Sequence, residues 1–173
     1  DAVVDGKTVG VGRCVFAYRD GALCVELPSG RVLRYRGAHV VEDVPAWAKA
    51  CGWDNIRPRP TVRYTHPHGY VKDLYGGLIT ENVVQAICRD LLATALVRCE
   101  REGLRTVLHV HDEIVCEVDS DEEALTLGRV MSEPPPWAAG FSVSVEGYTS
   151  KRYVKEPGAG EFKFHFSNGR AKV

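Results

Sequence analysis

His111, Asp112 and Glu113 stand in succession between two β-rich runs, Thr106-Val107-Leu108-His109-Val110 and Ile114-Val115-Cys116-Glu117-Val118. Apolar, β-branched runs on either side of a polar triplet predict a hairpin with the triplet at its tip. Two adjacent carboxylates between strands expected to be buried repel one another, and that repulsion is costly at close range. A divalent cation would relieve it. Mg²⁺ takes hard oxygen donors, often one or two protein carboxylates completed by substrate phosphates. Two such ions can clamp an in-line phosphoryl transfer. Turns also take Asp and Glu simply because they are polar, and for a bare His-Asp-Glu tip that plainer reading is the stronger.

The elements that must position this tip are legible on both sides of it. From about Leu74 to Arg101 a long helix is predicted: Val83, Ile87, Leu91, Ala95 and Cys99 recur every four residues, and Val84, Leu92 and Leu96 widen the stripe. Thr80 is a candidate cap for an inner segment, with an earlier start near Asp73 the alternative, and Gly103 is expected to end the helix. Glu81, Gln85 and Arg89 share the opposite face. After the hairpin, Asp119 to Glu123 opens a second helix with acids where the helix dipole favours them. That helix must stop before Pro134-Pro135-Pro136. Phe141 to Val145 alternates as a strand. Phe162, Phe164 and Phe166 alternate with Lys163 and His165 and suggest an edge strand in the tail.

Upstream, Arg13 to Tyr18, Ala22 to Leu27 and Arg31 to Tyr35 read as an antiparallel meander. Asp20-Gly21 and Pro28-Ser29-Gly30 supply its turns. Residues 45–51 read as a short helix opened by Pro45. Residues 54–73, with Pro58, Pro60 and Pro67, read as irregular. His66-Pro67-His68 brings two imidazoles together, but no third ligand is near in sequence, and an exposed loop is the simpler reading.

The chain has 173 residues, enough for one domain with a real core. No apolar run approaches the roughly 18–20 residues of a membrane span. The amino terminus lacks the basic region and apolar core of a signal peptide. It does not begin with Met, which suggests a fragment or a trimmed chain. Lys and Arg (22) balance Asp and Glu (23), so composition does not favour nucleic-acid binding. Local clusters do so more: Arg57, Arg59 and Arg63, then Lys151, Arg152 and Lys155, could meet phosphates, although a solvated face is the plainer reading of each. Six cysteines occur without a C-x-x-C pair, which does not favour zinc. Cys88, Cys99 and Cys116 lie in apolar surroundings and read as buried free thiols.

In this context Val110-His111-Asp112-Glu113, followed by an apolar strand, resembles motif C of the family A DNA polymerases. Gln85-Ala86-Ile87-Cys88-Arg89-Asp90 is similar to the helix that precedes that motif. Leu27-Pro28-Ser29-Gly30-Arg31-Val32-Leu33 resembles the strand leaving the fingers, and Phe141 to Glu146 the strand closing the palm. Tyr75-Gly76-Gly77-Leu78-Ile79-Thr80-Glu81-Asn82 looks most like phage members. The resemblance covers roughly residues 22–155 in consistent order.

It implies a DNA-directed DNA polymerase part that works by template-directed nucleotidyl transfer on primer–template DNA and dNTP, with Mg²⁺ as cofactor. Asp112 and Glu113 would be the metal-site carboxylates. His111 would approach the primer backbone. Gln85, with Asn82 and Arg89 on the same helix, would contact DNA, Gln85 in the minor groove, whose acceptors are shared by all correct pairs. The family's pattern spaces its asparagine and glutamine by four, whereas Asn82 and Gln85 are three apart.

Motif A, with the other metal aspartate, and the O-helix, with its lysine and tyrosine, are not found. The expectation is therefore an α+β fold: a small antiparallel sheet holding the hairpin and the 141–147 strand, the long helix packed on it, and a β-meander extension. Residues 1–53 would form the meander and short helix, 54–155 the palm portion and 156–173 a tail. Alone the chain is expected to be inactive. It would act with an amino-terminal polymerase portion in a cytoplasmic setting, and an exposed apolar face could drive self-association. A non-catalytic DNA-binding palm remnant is the main alternative. A His-Asp metal phosphohydrolase would place the doublet on a helix, and these flanks alternate like strands. A structural protein with no site is the remaining alternative.

Overall fold

A computed structural model describes residues 6–53, 55–154 and 162–172. The amino-terminal pentapeptide, Lys155 of the second basic cluster and the start of the tail lie outside the described residues. The chain divides into two compact units, Asp1–Ile87 and Cys88–Val173.

The first unit opens with four antiparallel strands in sequence order, β1 (Val9–Val11), β2 (Cys14–Arg19), β3 (Ala22–Glu26) and β4 (Val32–Arg36). Asp20 and Gly21 take φ of +52° and +71° to close the β2–β3 turn, the left-handed pair that a tight hairpin requires. A second three-stranded sheet, ordered β5-β6-β7, follows: β5 (His39–Asp43), β6 (Arg59–Thr65) and β7 (Val71–Leu74). Helix α1 (Ala46–Ala50) lies between β5 and β6 in sequence, its first turn closed by Ala48 N–H donating to the Pro45 carbonyl at 3.0 Å.

The expectation that residues 54–73 are irregular is therefore corrected. Proline content misled it. Pro60 pairs with Glu42 of β5 at a point β7 does not reach, since β7 pairs only with Val62 to Thr65. At that point the strand has one neighbour, and a missing N–H is tolerated.

Arg63 of β6 ties the sheet together across both neighbours. Its Nη2 lies 2.5 Å from Asp43 Oδ2 and its Nε 2.9 Å from Asp73 Oδ1. Asp43 also receives Lys49 at 3.0 Å, and Asp73 accepts the Ala46 N–H at 2.8 Å. Hydrogen bonds from Arg63, then Lys49 and the Val44 amide, hold the Asp43 carboxyl down at about 2. Burial pushes Asp73 upward, but the Ala46 amide and Arg63 outweigh it and its carboxyl also lies low. The unit's core gathers Leu23, Val25, Tyr35, Ala38, Tyr64 and Leu74, with Tyr35 and Tyr64 meeting edge to face at 5.2 Å.

Helix α2 (Gly76–Arg101) begins in the first unit and continues into the second. Thr80 is not a cap: its hydroxyl donates to the Gly76 carbonyl at 2.9 Å, inside the helix. Gly103, at φ +76°, ends the helix, and Leu104 N–H returns to the Cys99 carbonyl at 2.9 Å. The buried positions of the later turns are Leu92, Ala95 and Cys99, whereas Cys88 is exposed, so its reading as a buried thiol is corrected.

The second unit continues with β8 (Arg105–Val110), β9 (Glu113–Glu117), α3 (Asp121–Ser132), a short 3-10 turn at Pro136–Ala138, β10 (Ser144–Tyr148), β11 (Lys163–Ser167) and β12 (Arg170–Ala171). Ser120 caps α3, its hydroxyl accepting the Glu123 N–H at 3.3 Å. Leu92, Ala95, Cys99, Leu104, Ile114 and Val130 form one core from α2, β9 and α3.

Two sequence expectations fail here. The β8–β9 hairpin is a sheet of its own, and the later strands form a separate sheet ordered β10-β11-β12. The Phe-rich strand β11 is the middle of that sheet and not an edge. Phe141 is 56 % exposed and precedes β10, because the Asn168 side chain and backbone bind both polar groups of Val143 and delay the ladder to Ser144.

Candidate functional site

The hairpin closes with Val110 opposite Glu113, which leaves His111 and Asp112 alone as a two-residue tip. His111 takes φ +52°, a left-handed conformation uncommon outside glycine. Glu113 belongs to β9, so the two carboxylates have different backbone settings: one on the turn, one on the ladder. All three side chains are exposed.

The strands beside them are not both buried, and this corrects the energetic premise. On β9, Ile114 is buried at 7 % exposure and anchors the hairpin in the core. On β8, Val107, Leu108 and Val110 are 57 %, 42 % and 40 % exposed. A register shift between Thr106 and Leu108 breaks the alternation, and among the described residues no third strand pairs with β8. The carboxylates therefore stand in water, where their repulsion is screened and does not by itself demand a cation.

Tyr153 reaches the tip from outside the hairpin. Its hydroxyl donates to Glu113 Oε2 at 3.1 Å, and that carboxylate raises the tyrosine's pKa. Tyr148 Oη, bonded to the Val154 carbonyl, ties the segment that carries Tyr153 back to β10. Sequence reasoning missed Tyr153, and the only signal near it was the basic pair Lys151 and Arg152.

Further along β9, Cys116 lies 3.5 Å from the Thr106 hydroxyl and shares a thiol hydrogen bond with Cys99 of α2. The shared hydrogen bond and burial raise Cys99, and Cys116 is the partner that ionises first.

Among the described residues no group of three or more His, Cys, Asp or Glu side chains converges as a metal cage. Asp112 and Glu113 offer hard oxygen donors of the kind Mg²⁺ takes, and so fit a partial site of one or two protein carboxylates.

The helix residues divide. Glu81, Gln85 and Arg89 are exposed on α2, and Gln85 Nε2 donates to Glu81 Oε1 at 3.2 Å. Asn82 is half-buried, and its amide donates to the Tyr35 hydroxyl at 3.0 Å, so it braces α2 against β4 and is not displayed beside Gln85. Burial raises the Tyr35 hydroxyl, with the Asn82 bond acting against it. Arg31, the residue before β4, adds a second tie, its Nη2 donating to the Ala86 carbonyl at 2.7 Å. Asn82 and Gln85 belong to the first unit, Arg89 and the hairpin to the second. Of the clustered arginines, Arg63 is committed to Asp43 and Asp73.

Against curated proteins, the chain is similar to a DNA polymerase of Bacillus phage SP02, with 34 % identity over 143 residues. That alignment takes in 82 % of this chain and 21 % of the phage polymerase, so the chain spans about a fifth of the length of the relative it matches. No family model matches, and no solved structure matches.

Proposed function

We propose that this chain is the carboxy-terminal palm portion of a family A DNA polymerase and contributes one half of a two-metal nucleotidyl-transfer site. One observation carries the reading. A chain similar to a phage DNA polymerase over most of its length presents Asp112 and Glu113 together on an exposed hairpin tip. Each supports the other, since an exposed acidic turn is unremarkable without the likeness.

In this reading Asp112 is the metal ligand, and Glu113 stands beside it with its second oxygen steadied by Tyr153. Bound Mg²⁺ supplies charge neutralisation at the attacking and leaving oxygens of the phosphoryl transfer. His111, held on the left-handed corner, meets the primer backbone. Gln85 reads minor-groove acceptors common to every correct pair, and Arg89, one turn further along α2, meets phosphate. Asn82 acts as a brace that keeps the Gln85 turn in place. The second metal aspartate and the nucleotide-binding helix come from further polypeptide, and the exposed apolar residues of β8 are the surface that polypeptide covers.

The test is a chimera in which this chain replaces the matching segment of the SP02 phage polymerase, assayed by primer extension with Mg²⁺. Extension by the chimera, lost in Asp112→Asn while primer–template binding persists, is expected, and the isolated chain should not extend. Robust incorporation by the isolated chain would sink the half-site reading. A chimera in which Asp112→Asn extends normally would sink the catalytic one. Binding without extension in any form would leave a DNA-binding palm remnant as the better account.

A further inference from the structure

The turn joining β6 to β7 is built with more order than a connection needs. His66 N–H donates to the Tyr70 carbonyl at 2.8 Å, and Gly69 N–H donates to the His66 carbonyl at 2.8 Å. Pro67 fits the first corner, and Gly69 takes φ +87° at the residue that re-enters the ladder, the usual chemistry of a three-residue hairpin loop. Within it three rings lie nearly parallel. His66 stacks with Tyr70 at 4.4 Å and 16°, and with His68 at 5.1 Å and 22°.

His66 Nδ1 accepts the His68 backbone N–H at 3.3 Å, which fixes the ring's rotation and its tautomer. Burial, then electrostatic interaction with His68 and Lys72, lowers the His66 pKa. Parallel rings turn faces and not nitrogen lone pairs toward one another, which is the wrong geometry for two ligands of one metal.

The outer surfaces of this stack are open: His68 is exposed, Tyr70 is 52 % exposed and Val71 is 61 % exposed. The local charge differs from that of the whole chain. Residues 55–72 hold Arg57, Arg59, Arg63 and Lys72 and no Asp or Glu, in a chain of net charge −1. Arg63 is neutralised by its two aspartates, and Lys72 of β7 lies close enough to the rings for its charge to act on His66. A flat aromatic face with a lysine beside it suits a chain of bases and phosphates. Every base has a π-face, and stacking needs no sequence-specific hydrogen bond. A protein partner would call for a concave apolar patch, which a narrow hairpin tip does not provide.

We propose that the β6–β7 tip, His66, His68 and Tyr70 with Lys72 beside them, is a stacking platform for unpaired bases of single-stranded DNA. The choice of DNA as the polyanion rests on the polymerase reading above, and the ring geometry and charge do not. The tip would hold an unpaired strand, a task separate from the hairpin carboxylates.

The test is fluorescence anisotropy on the whole chain with two labelled probes, a short oligothymidylate and a blunt duplex. Tyr70→Leu and His68→Ser should each weaken oligothymidylate binding by roughly tenfold, the scale of one lost base stack, and leave duplex affinity unchanged. Tyr70→Phe, which keeps the ring, should bind as the native chain does. On adding oligothymidylate, the His66 and His68 imidazole proton resonances should move upfield from ring currents. These side chains line an exposed loop, and unchanged thermal melting would establish that the variants fold.

Unchanged oligothymidylate affinity in both variants overturns the proposal, as does equal weakening with both probes, which would mean charge and not stacking. If duplex binds and the variants leave oligothymidylate binding untouched, only this inference fails. If the native chain binds neither probe, this inference falls and the polymerase reading loses support as well.

Discussion

Gly147 of β10 lies directly opposite Phe164 of β11, and replacing it with alanine should unfasten the sheet of the second unit. A Cβ built at residue 147 would sit 2.1 Å from Phe164 Cζ and 2.4 Å from Cε2, well inside the closest approach real side chains show. The ring cannot simply lean toward α3, because a Cβ position at Gly128 of that helix already lies 2.8 Å from its Cδ2 and Cε2. Phe162 and Phe166 flank it at 6.4 and 6.1 Å. Phe164 thus fills a notch cut by two glycines, one on each side.

Forcing a methyl into such a notch costs about 1–3 kcal/mol. Alanine would recover roughly 0.5–1 kcal/mol through a less disordered unfolded chain. The net expectation for Gly147→Ala is a loss of about 1–2 kcal/mol, or a Tm lower by roughly 4 °C in a chain of this size. Phe164→Ala should cost about 2 kcal/mol, less than a fully buried phenylalanine because the ring is half-buried. In the double variant the methyl has room, so the two losses should fall short of additivity by about 1–2 kcal/mol. Urea unfolding with amide exchange read at β10 and β11 measures all four corners of the cycle. Additivity within about 0.5 kcal/mol would refute the notch argument.

The aspartate that Arg63 holds makes the first unit sensitive to acid. Asp43 has a folded pKa of about 2, below its ordinary value, so its stabilisation is complete above the ordinary carboxylate range and disappears as pH falls toward 2. Asp43→Asn should therefore flatten the acid limb of the unfolding curve in that window, and an unchanged limb would show that the Arg63 network contributes nothing. Thiol labelling of the native chain by an alkylating reagent should reach Cys51 and Cys88 first and Cys99 last, in line with their exposure. Early modification of Cys99, read by peptide mass spectrometry, would refute the packing of α2 described above.

Local chemistry made part of this molecule readable in advance. Asp20-Gly21 announces its turn, Pro45 its helix start and Gly103 its helix stop, and each is a backbone constraint that neighbours cannot override. Pairing was less readable. Val40 and Val62 pair across 22 residues, and β10 finds β11 across a segment that includes residues outside the described structure. Nothing in either strand names its partner, so composition alone reads β6 as a loop and places the hairpin in the wrong sheet.

Helix phase was half-legible. A four-residue repeat with its widening residues placed Leu92, Ala95 and Cys99 within one broad stripe but also admitted Val84, which the structure exposes. For the candidate site, residue types signalled the acidic tip. Two further facts needed coordinates. Asn82 serves Tyr35, 47 positions away, and Tyr153 serves Glu113, 40 positions away.

The exposure of the tip changes what its carboxylates can accomplish. Had both flanking strands been buried, Asp112 and Glu113 would have formed a strained, low-dielectric pair, and a cation would have been required to relieve it. In water they need no relief, and two exposed carboxylates hold Mg²⁺ weakly because the ion gives up its waters reluctantly. Under the proposed function, useful occupancy would then depend on further oxygens, from substrate phosphates and from a carboxylate on other polypeptide. Under that reading the site would assemble only when its substrate and the polypeptide supplying the other ligand are both present. The apolar residues bared on β8 beside the same tip fit this account, because the wall that supplies the remaining ligand would cover them as it docks. Metal affinity, strand burial and activity should therefore appear together or not at all.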